Sequence, residues 1–272
     1  MRRLFSGALV LLVAGAVLVA PLLAADKFPK NCDLPYNGTP KKHNADKACP
    51  PQGKVDPGEG AQLVAAHEAQ NRHKNELCSS GLPKPVTLAT FGELQTAVDA
   101  RNVVYGDRTH LPFDRTQLQN ITTAAGTLSE GDVVTFEGYV EKAKRGSAES
   151  CNCGATTVNE VDIHVHLVET PGTSLCDGIV AEMTPHYRPT AWHWTKFRDM
   201  ATGGWPVRVT GPLFFDGSHR PCKNGKAGAR DPARVSVWEI HPIYTFEVCM
   251  DEHCDQPSSW VTVAKWDKDF NH

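Results

Sequence analysis

The sequence predicts a mainly β protein: a five-stranded Greek-key barrel with a helix between strands 3 and 4. An N-terminal helical, disulfide-stapled extension precedes it. Three observations lead there. Apolar and polar residues alternate in a series of short segments after about residue 127. A single helical pattern interrupts that series late. Nine cysteines follow an apolar leader, too many for a reduced cytosolic chain of 272 residues.

The leader is Met1-Arg2-Arg3 followed by an uncharged apolar run to Ala25. A basic start, an apolar stretch and small residues before Asp26-Lys27 form the secretory signal pattern, so 1–25 reads as a signal peptide cut after Ala24 or Ala25. Pro21 breaks the run near that point. An uncleaved membrane anchor is the other reading of a run this long. Residues 26–115 read as a Pro/Gly-rich arm followed by two short helices. The first spans about 60–77, with Leu63, Val64, His67 and Leu77 as a weak apolar face. The second runs to about Arg101 from a capping box of Thr90 and Glu93, with Leu94, Ala97 and Val98 inward.

Residues 116–272 read as the barrel domain with a C-terminal tail. The first strand, 131–140, places Val134, Phe136 and Val140 on one face. The second, 161–167, turns Val161, Ile163, Val165 and Leu167 inward and Asp162, His164 and His166 outward. The third, 178–184, turns Ile179, Ala181 and Met183 inward. A helix over 190–200 ends at Gly203-Gly204 and caps the barrel with its tryptophans. A fourth strand covers 206–215 and a fifth 234–240, followed by an apolar segment to Cys249. Trp260 and Trp266 mark a tail that adds an edge strand or covers a barrel opening.

This element order, with the opening Gly131-Asp132-Val133-Val134, resembles the OB-fold over about residues 127–250. The phrases Val207 to Asp216 and Val237-Trp238-Glu239-Ile240-His241-Pro242 are similar to uncharacterised exported bacterial proteins. That resemblance implies an OB-fold-like barrel and no activity.

In an exported chain most of Cys32, Cys49, Cys78, Cys151, Cys153, Cys176, Cys222, Cys249 and Cys254 should pair. Their spacing does not give the connectivity. Cys151 and Cys153 flank one residue and more naturally reach two different partners. An odd count leaves one thiol over. Three cysteines precede the barrel and six follow, so the simplest pairing leaves it in the extension, unless a bridge ties extension to barrel.

His164 and His166, two apart on a strand, point the same way and form a His-x-His pair on the barrel exterior. Glu182 shares the outward parity one strand over, and His186 follows it. These four are the candidate ligands for a divalent transition metal, with His219, His241 and Glu137 as further possible members. Structural histidines, hydrogen-bonded or exposed, are the competing reading. Tyr139, Tyr187, Arg188 and Arg208 are candidate ligand-binding residues, with Lys142, Lys144 and Arg145 beside them. Losing Arg2 and Arg3 with the signal takes the net charge from −3 to −5. Bulk charge therefore argues against nucleic acid as partner and leaves oligosaccharide, peptide or an envelope protein. A membrane contact follows only if the leader stays.

No Gly-x-Ser-x-Gly, His-Glu-x-x-His or phosphate-binding glycine loop is present, so the case for an enzyme is thin. The leading expectation is an exported binding or structural protein of the cell envelope or extracellular space. The second is a metal-binding protein, extending to a metal-dependent hydrolase, built on the His-x-His pair. A subunit of a larger extracellular assembly is the third.

Overall fold

A computed structural model describes residues 35–270. The leader over 1–25 and Cys32 lie outside them. The described chain contains α1 (Ala45–Ala48), α2 (Ala61–Lys74), β1 (Lys84–Val86), α3 (Leu88–Ala100), β2 (Ile121–Thr123), β3 (Gly126–Leu128), β4 (Val133–Arg145), β5 (Ile163–Val168), β6 (Ile179–Met183), α4 (Trp194–Gly203), β7 (Pro206–Phe215), β8 (Trp238–Ile240), β9 (Thr245–Cys249), β10 (Trp260–Thr262) and α5 (Val263–Phe270).

Five strands close on themselves in the order β4-β5-β6-β8-β7, and β7 returns to β4. The closing ladder runs from Val133↔Pro212 to Tyr139↔Pro206. All pairings are antiparallel except β6 with β8, where Ala181 meets Ile240 in parallel. This is the OB-fold-like barrel, with α4 between its third and fourth strands. Inward residues fill it: Val134, Phe136, Val165, Leu167, Ala181, Val209, Phe215, Trp238 and Ile240 belong to one apolar cluster. Closure removes the free sheet edges that a five-stranded open sheet would expose. Phe197 of α4 enters one end and stacks edge-on with Phe246 at 4.8 Å.

Several elements differ from the sequence reading. The first strand continues to Arg145, through a register shift between Val140 and Lys142. The fifth is only Trp238–Ile240, and β9 lies after it along the same neighbour, β7, pairing Val207 to Thr210. A cis His241–Pro242 bond separates the two. The second helix starts earlier than Thr90 allows. Its N-cap is Thr87, and its capping box joins Thr87 with Thr90. The tail adds the expected edge strand, β10 beside β9, and Trp266 of α5 packs into the core.

The extension is continuous with the barrel. Its β1 pairs in parallel with β4, and Phe91, Leu94 and Val98 of α3 join the same apolar cluster. Disulfides Cys49–Cys153, Cys176–Cys222 and Cys249–Cys254 staple the described residues. Cys78 is also disulfide-bonded. Among the described residues the free thiol is Cys151, buried in the barrel's β4–β5 connection and not in the extension. The reason is that Cys49 crosses to Cys153, the exception that the count left open. Among the described residues no helix is long and apolar enough to cross a membrane.

Candidate functional site

The helix α2 determines where the site lies. Its buried residues include His67, Gln70, Asn71 and Lys74, a polar stripe at i, i+3, i+4 and i+7. Of the expected face, His67 and Leu77 are buried while Leu63 and Val64 remain partly exposed. The polar residues of α2 hold the loops that surround the barrel's outer face. His67 Nε2 donates to the Arg108 carbonyl at 2.8 Å. The Gln70 side chain donates to Ser218 Oγ at 2.7 Å and accepts from the Gly217 amide. Asn71 Oδ1 accepts from Ser150 Oγ at 3.1 Å. Asn75, one step on, donates to the Cys151 carbonyl at 2.8 Å. The helix is therefore tied to the Arg108 loop and to the β4–β5 and β7–β8 connections, and Lys74 reaches Glu182 on the outer face of β6, where outward-facing residues are buried or half-buried.

Under this roof the strand register lines up chemistry. Lys144 on β4, His164 on β5 and Glu182 on β6 are direct cross-strand neighbours, so all three share the outer face. His164 Nδ1 is 2.9 Å from Glu182 Oε1. Glu149, from the β4–β5 connection, brings Oε1 to 3.7 Å from His164 Nε2. His241, just past β8, brings Nδ1 to 3.2 Å from the other oxygen of Glu182, Oε2. Lys74 reaches down from α2, its Nζ 2.6 Å from Glu149 and 3.6 Å from Glu182.

Two ligand sets share Glu182. Glu149, His164 and Glu182 offer donor atoms within 4.8 Å of one another, as do Asp162, Glu182 and His241. Ligands about 2.1 Å from a tetrahedral metal lie roughly 3.4 Å apart, so this spacing suits a shared cation. Side-chain exposure falls from 23% at Glu149 to 14% at His164 and 4% at Glu182. The first set thus descends from the mouth to the floor of a cavity of about 420 Å³. The second set is fully buried. Cys151 lies beside both, with Sγ 3.6 Å from Glu149 and 3.8 Å from Asp162.

Both ring nitrogens of His164 and of His241, Oε2 of Glu182 and Oδ1 of Asp162 are buried without a hydrogen bond of acceptable geometry. Orphaned polar atoms are few in folded proteins, and a cluster of them calls for an explanation.

The charges interlock. Burial opposes the protonation of His164, but Glu182 and Glu149 outweigh it and push the imidazole up to about 10. Burial likewise opposes the charge on His241, while the nearby carboxylates of Glu182 and Glu239 lift it to about 9. Glu182 is held well below its ordinary range against burial, chiefly by His164 and Lys74. Burial raises the Cys151 thiol well above its usual value, so it stays protonated.

The other predicted residues separate. His166 shares the parity of His164 but belongs to neither ligand set. Burial, then Lys144, pushes its imidazole down to about 4. His186 pairs with Asp46 of α1 at 2.9 Å, in a different part of the interface. Arg188 is buried and donates to the Val161 and Met183 carbonyls at 2.9 and 3.2 Å, which is a structural staple. Tyr187 is buried next to it. Arg208 lies between Glu247 and Glu137 and over the Trp260 ring at 4.5 Å. Tyr139 sits on the barrel wall opposite Val168 and Pro206. These four do not form one surface. His219 contributes at the cavity wall, bonded to Asp216 at 2.6 Å. Glu137 stays with Arg208. Sequence reasoning missed Glu149, Lys74 and Asp162. The polar stripe of α2 was the available signal for Lys74.

No protein-family model matches the chain, and no curated protein is recognisably related to it.

Proposed function

We propose that the protein binds a divalent transition metal through Glu149, His164 and Glu182 in an exported, disulfide-stapled barrel. The carrying observation is the convergence of these three donor groups, with orphaned buried nitrogens, along the wall of the cavity. One imidazole and two carboxylates suit zinc or a neighbouring first-row ion. Three protein ligands facing a cavity leave coordination positions for water and substrate, the arrangement of hydrolytic rather than purely structural sites. A metal so placed would acidify its bound water. His241, set against Glu182 from behind, orients that ligand, as outer-shell partners do. This favours the metal-binding reading, as a metal-dependent hydrolase, over a purely structural role. The disulfides support export.

The test is calorimetric titration of tag-free, chelator-treated protein with Zn²⁺ and Mn²⁺, beside His164→Ala and Glu182→Gln. One equivalent bound by the wild type and lost in both variants is expected. No saturable binding, or binding unchanged in both variants, would overturn the proposal.

A further inference from the structure

Three cations meet at the mouth of this cavity from three separate segments. Arg108 comes from the loop before the barrel, Lys144 from β4, and Arg230 from the long β7–β8 connection. All three side chains belong to exposed residues. Among the described residues none of them forms an ion pair, unlike Lys74 deeper in the same cavity.

Each cation sits on anchored backbone. The Arg108 carbonyl accepts from buried His67 of α2. Lys144 is the direct neighbour of His164 in the β4–β5 ladder. The neighbour of Arg230, Asp231, accepts from the Arg220 amide at 3.0 Å, and the Cys176–Cys222 disulfide holds the same connection. Three of the four acidic residues of the cavity are already engaged by cations. Glu149 and Glu182 face Lys74 and His164, and Asp216 is bonded to His219 and to buried Arg234. Among the described residues Asp231, beside Arg230, pairs with no cation, so the mouth holds three cations against one carboxylate and keeps a net positive charge.

From this convergence we infer that the cavity takes a small phosphate-bearing anion, held at the mouth by Arg108, Lys144 and Arg230. Its size suits a small molecule and excludes a folded macromolecule. A tetrahedral dianion presents oxygens in several directions, which matches cations arriving from three sides; a planar carboxylate would use only one or two. The inference names the ligand class for the metal cavity and so rests on that reading. Phosphate bound at the mouth would lie beside the coordination positions that Glu149, His164 and Glu182 leave free.

The experiment titrates inorganic phosphate and, separately, acetate into the full-length protein by calorimetry at low ionic strength, with and without Zn²⁺. The variant is Arg108→Ala/Lys144→Ala/Arg230→Ala. The control, Arg198→Ala/Lys265→Ala/Lys268→Ala, removes equal charge on α4 and α5, which do not line the cavity. Exposed charges contribute roughly two- to five-fold each, so a loss of about ten-fold or more is expected in the variant and little change in the control. Phosphate should bind more tightly than acetate. Equal phosphate affinity in wild type and variant, equal loss in the control, or no phosphate binding in either metal state would overturn the inference. Zn²⁺ binding is read in the same titrations. Failure of the metal reading thus appears as absent Zn²⁺ binding, and failure of the phosphate reading as absent or unselective phosphate binding.

Discussion

Cys49 and Cys153, 104 residues apart, are joined by a disulfide that ties the N-terminal extension to the connection carrying Glu149. The same contact is reinforced by backbone. Lys54 donates to the Ser150 carbonyl at 2.8 Å, and Gly53 lies so close that a Cβ there would be 2.1 Å from that oxygen. The disulfide closes a long loop in the unfolded chain, worth on the order of 4 kcal/mol. Cys49→Ser/Cys153→Ser should lower stability by roughly that amount, as read by denaturant unfolding. Because the bond also holds the roof over the ligands, affinity for Zn²⁺ should fall by about ten-fold or more. Unchanged metal affinity in a folded double variant would detach the staple from the site.

Glu130 offers a second test, away from the ligands. Its carboxylate is buried and takes a two-pronged contact from Arg115, including Nε to Oε2 at 2.7 Å, while its Oε1 accepts from the Phe215 amide. Burial alone would raise this carboxyl, but Arg115, with help from His73, holds it below the usual range. A folded-state value below the unfolded one adds stability above the unfolded carboxylate pKa, near 4.3. That stability is lost as pH falls through the folded value. Glu130→Gln should flatten the acid limb of a stability–pH profile. Arg115→Met strands a buried charge and should cost about 3–5 kcal/mol at pH 7. That cost should shrink in acid, where Glu130 becomes neutral.

Arg188 illustrates what the sequence conceals. Placed after Tyr187, it reads as half of an aromatic and basic binding surface, yet its guanidinium is buried against backbone carbonyls of the β4–β5 connection and β6. Arg188→Met should cost about 2–4 kcal/mol by orphaning those carbonyls, while leaving the phosphate affinity of the folded protein unchanged. A stable variant with weakened phosphate binding would return Arg188 to the binding surface.

The barrel was legible because its strands alternate against a filled interior: β7 spans 206–215 as read from the pattern. His164 and Glu182 were legible by the same parity. The rest of the site was not, because periodicity reports only one side of a contact. Outer residues of β5, β6 and β8 are polar yet buried, since the helix covering them is polar too. His67, Gln70, Asn71 and Lys74 look like a solvated face until their hydrogen bonds to the surrounding loops account for them. Glu149 comes from an irregular connection, a position fixed by tertiary contacts that no local period encodes, and Asp162, outward by the same parity as His164, gains its place among the ligands only from Glu182 and His241 on other segments. The location of the free thiol follows from one long-range bridge, which spacing cannot reveal.

Lys74 occupies the place where a competing cation would act. Its ammonium contacts Glu149 and approaches Glu182, two of the three proposed ligands. Burial opposes its charge, but the two carboxylates outweigh burial and hold it protonated far above neutral pH. Lys74→Met leaves those carboxylates without their nearest cation, so the metal-free protein should lose about 3–5 kcal/mol of stability. A divalent ion supplies the missing charge and binds only the folded state, so its stabilisation grows as its affinity grows. The Zn²⁺-induced rise in Tm should therefore be larger in Lys74→Met than in the wild type, and calorimetry should show tighter Zn²⁺ binding. If Lys74 is simply the permanent counter-ion of a structural network, the variant will be destabilised equally with and without Zn²⁺. The two thermal shifts, measured side by side, separate a metal centre with an internal competitor from a buried salt bridge.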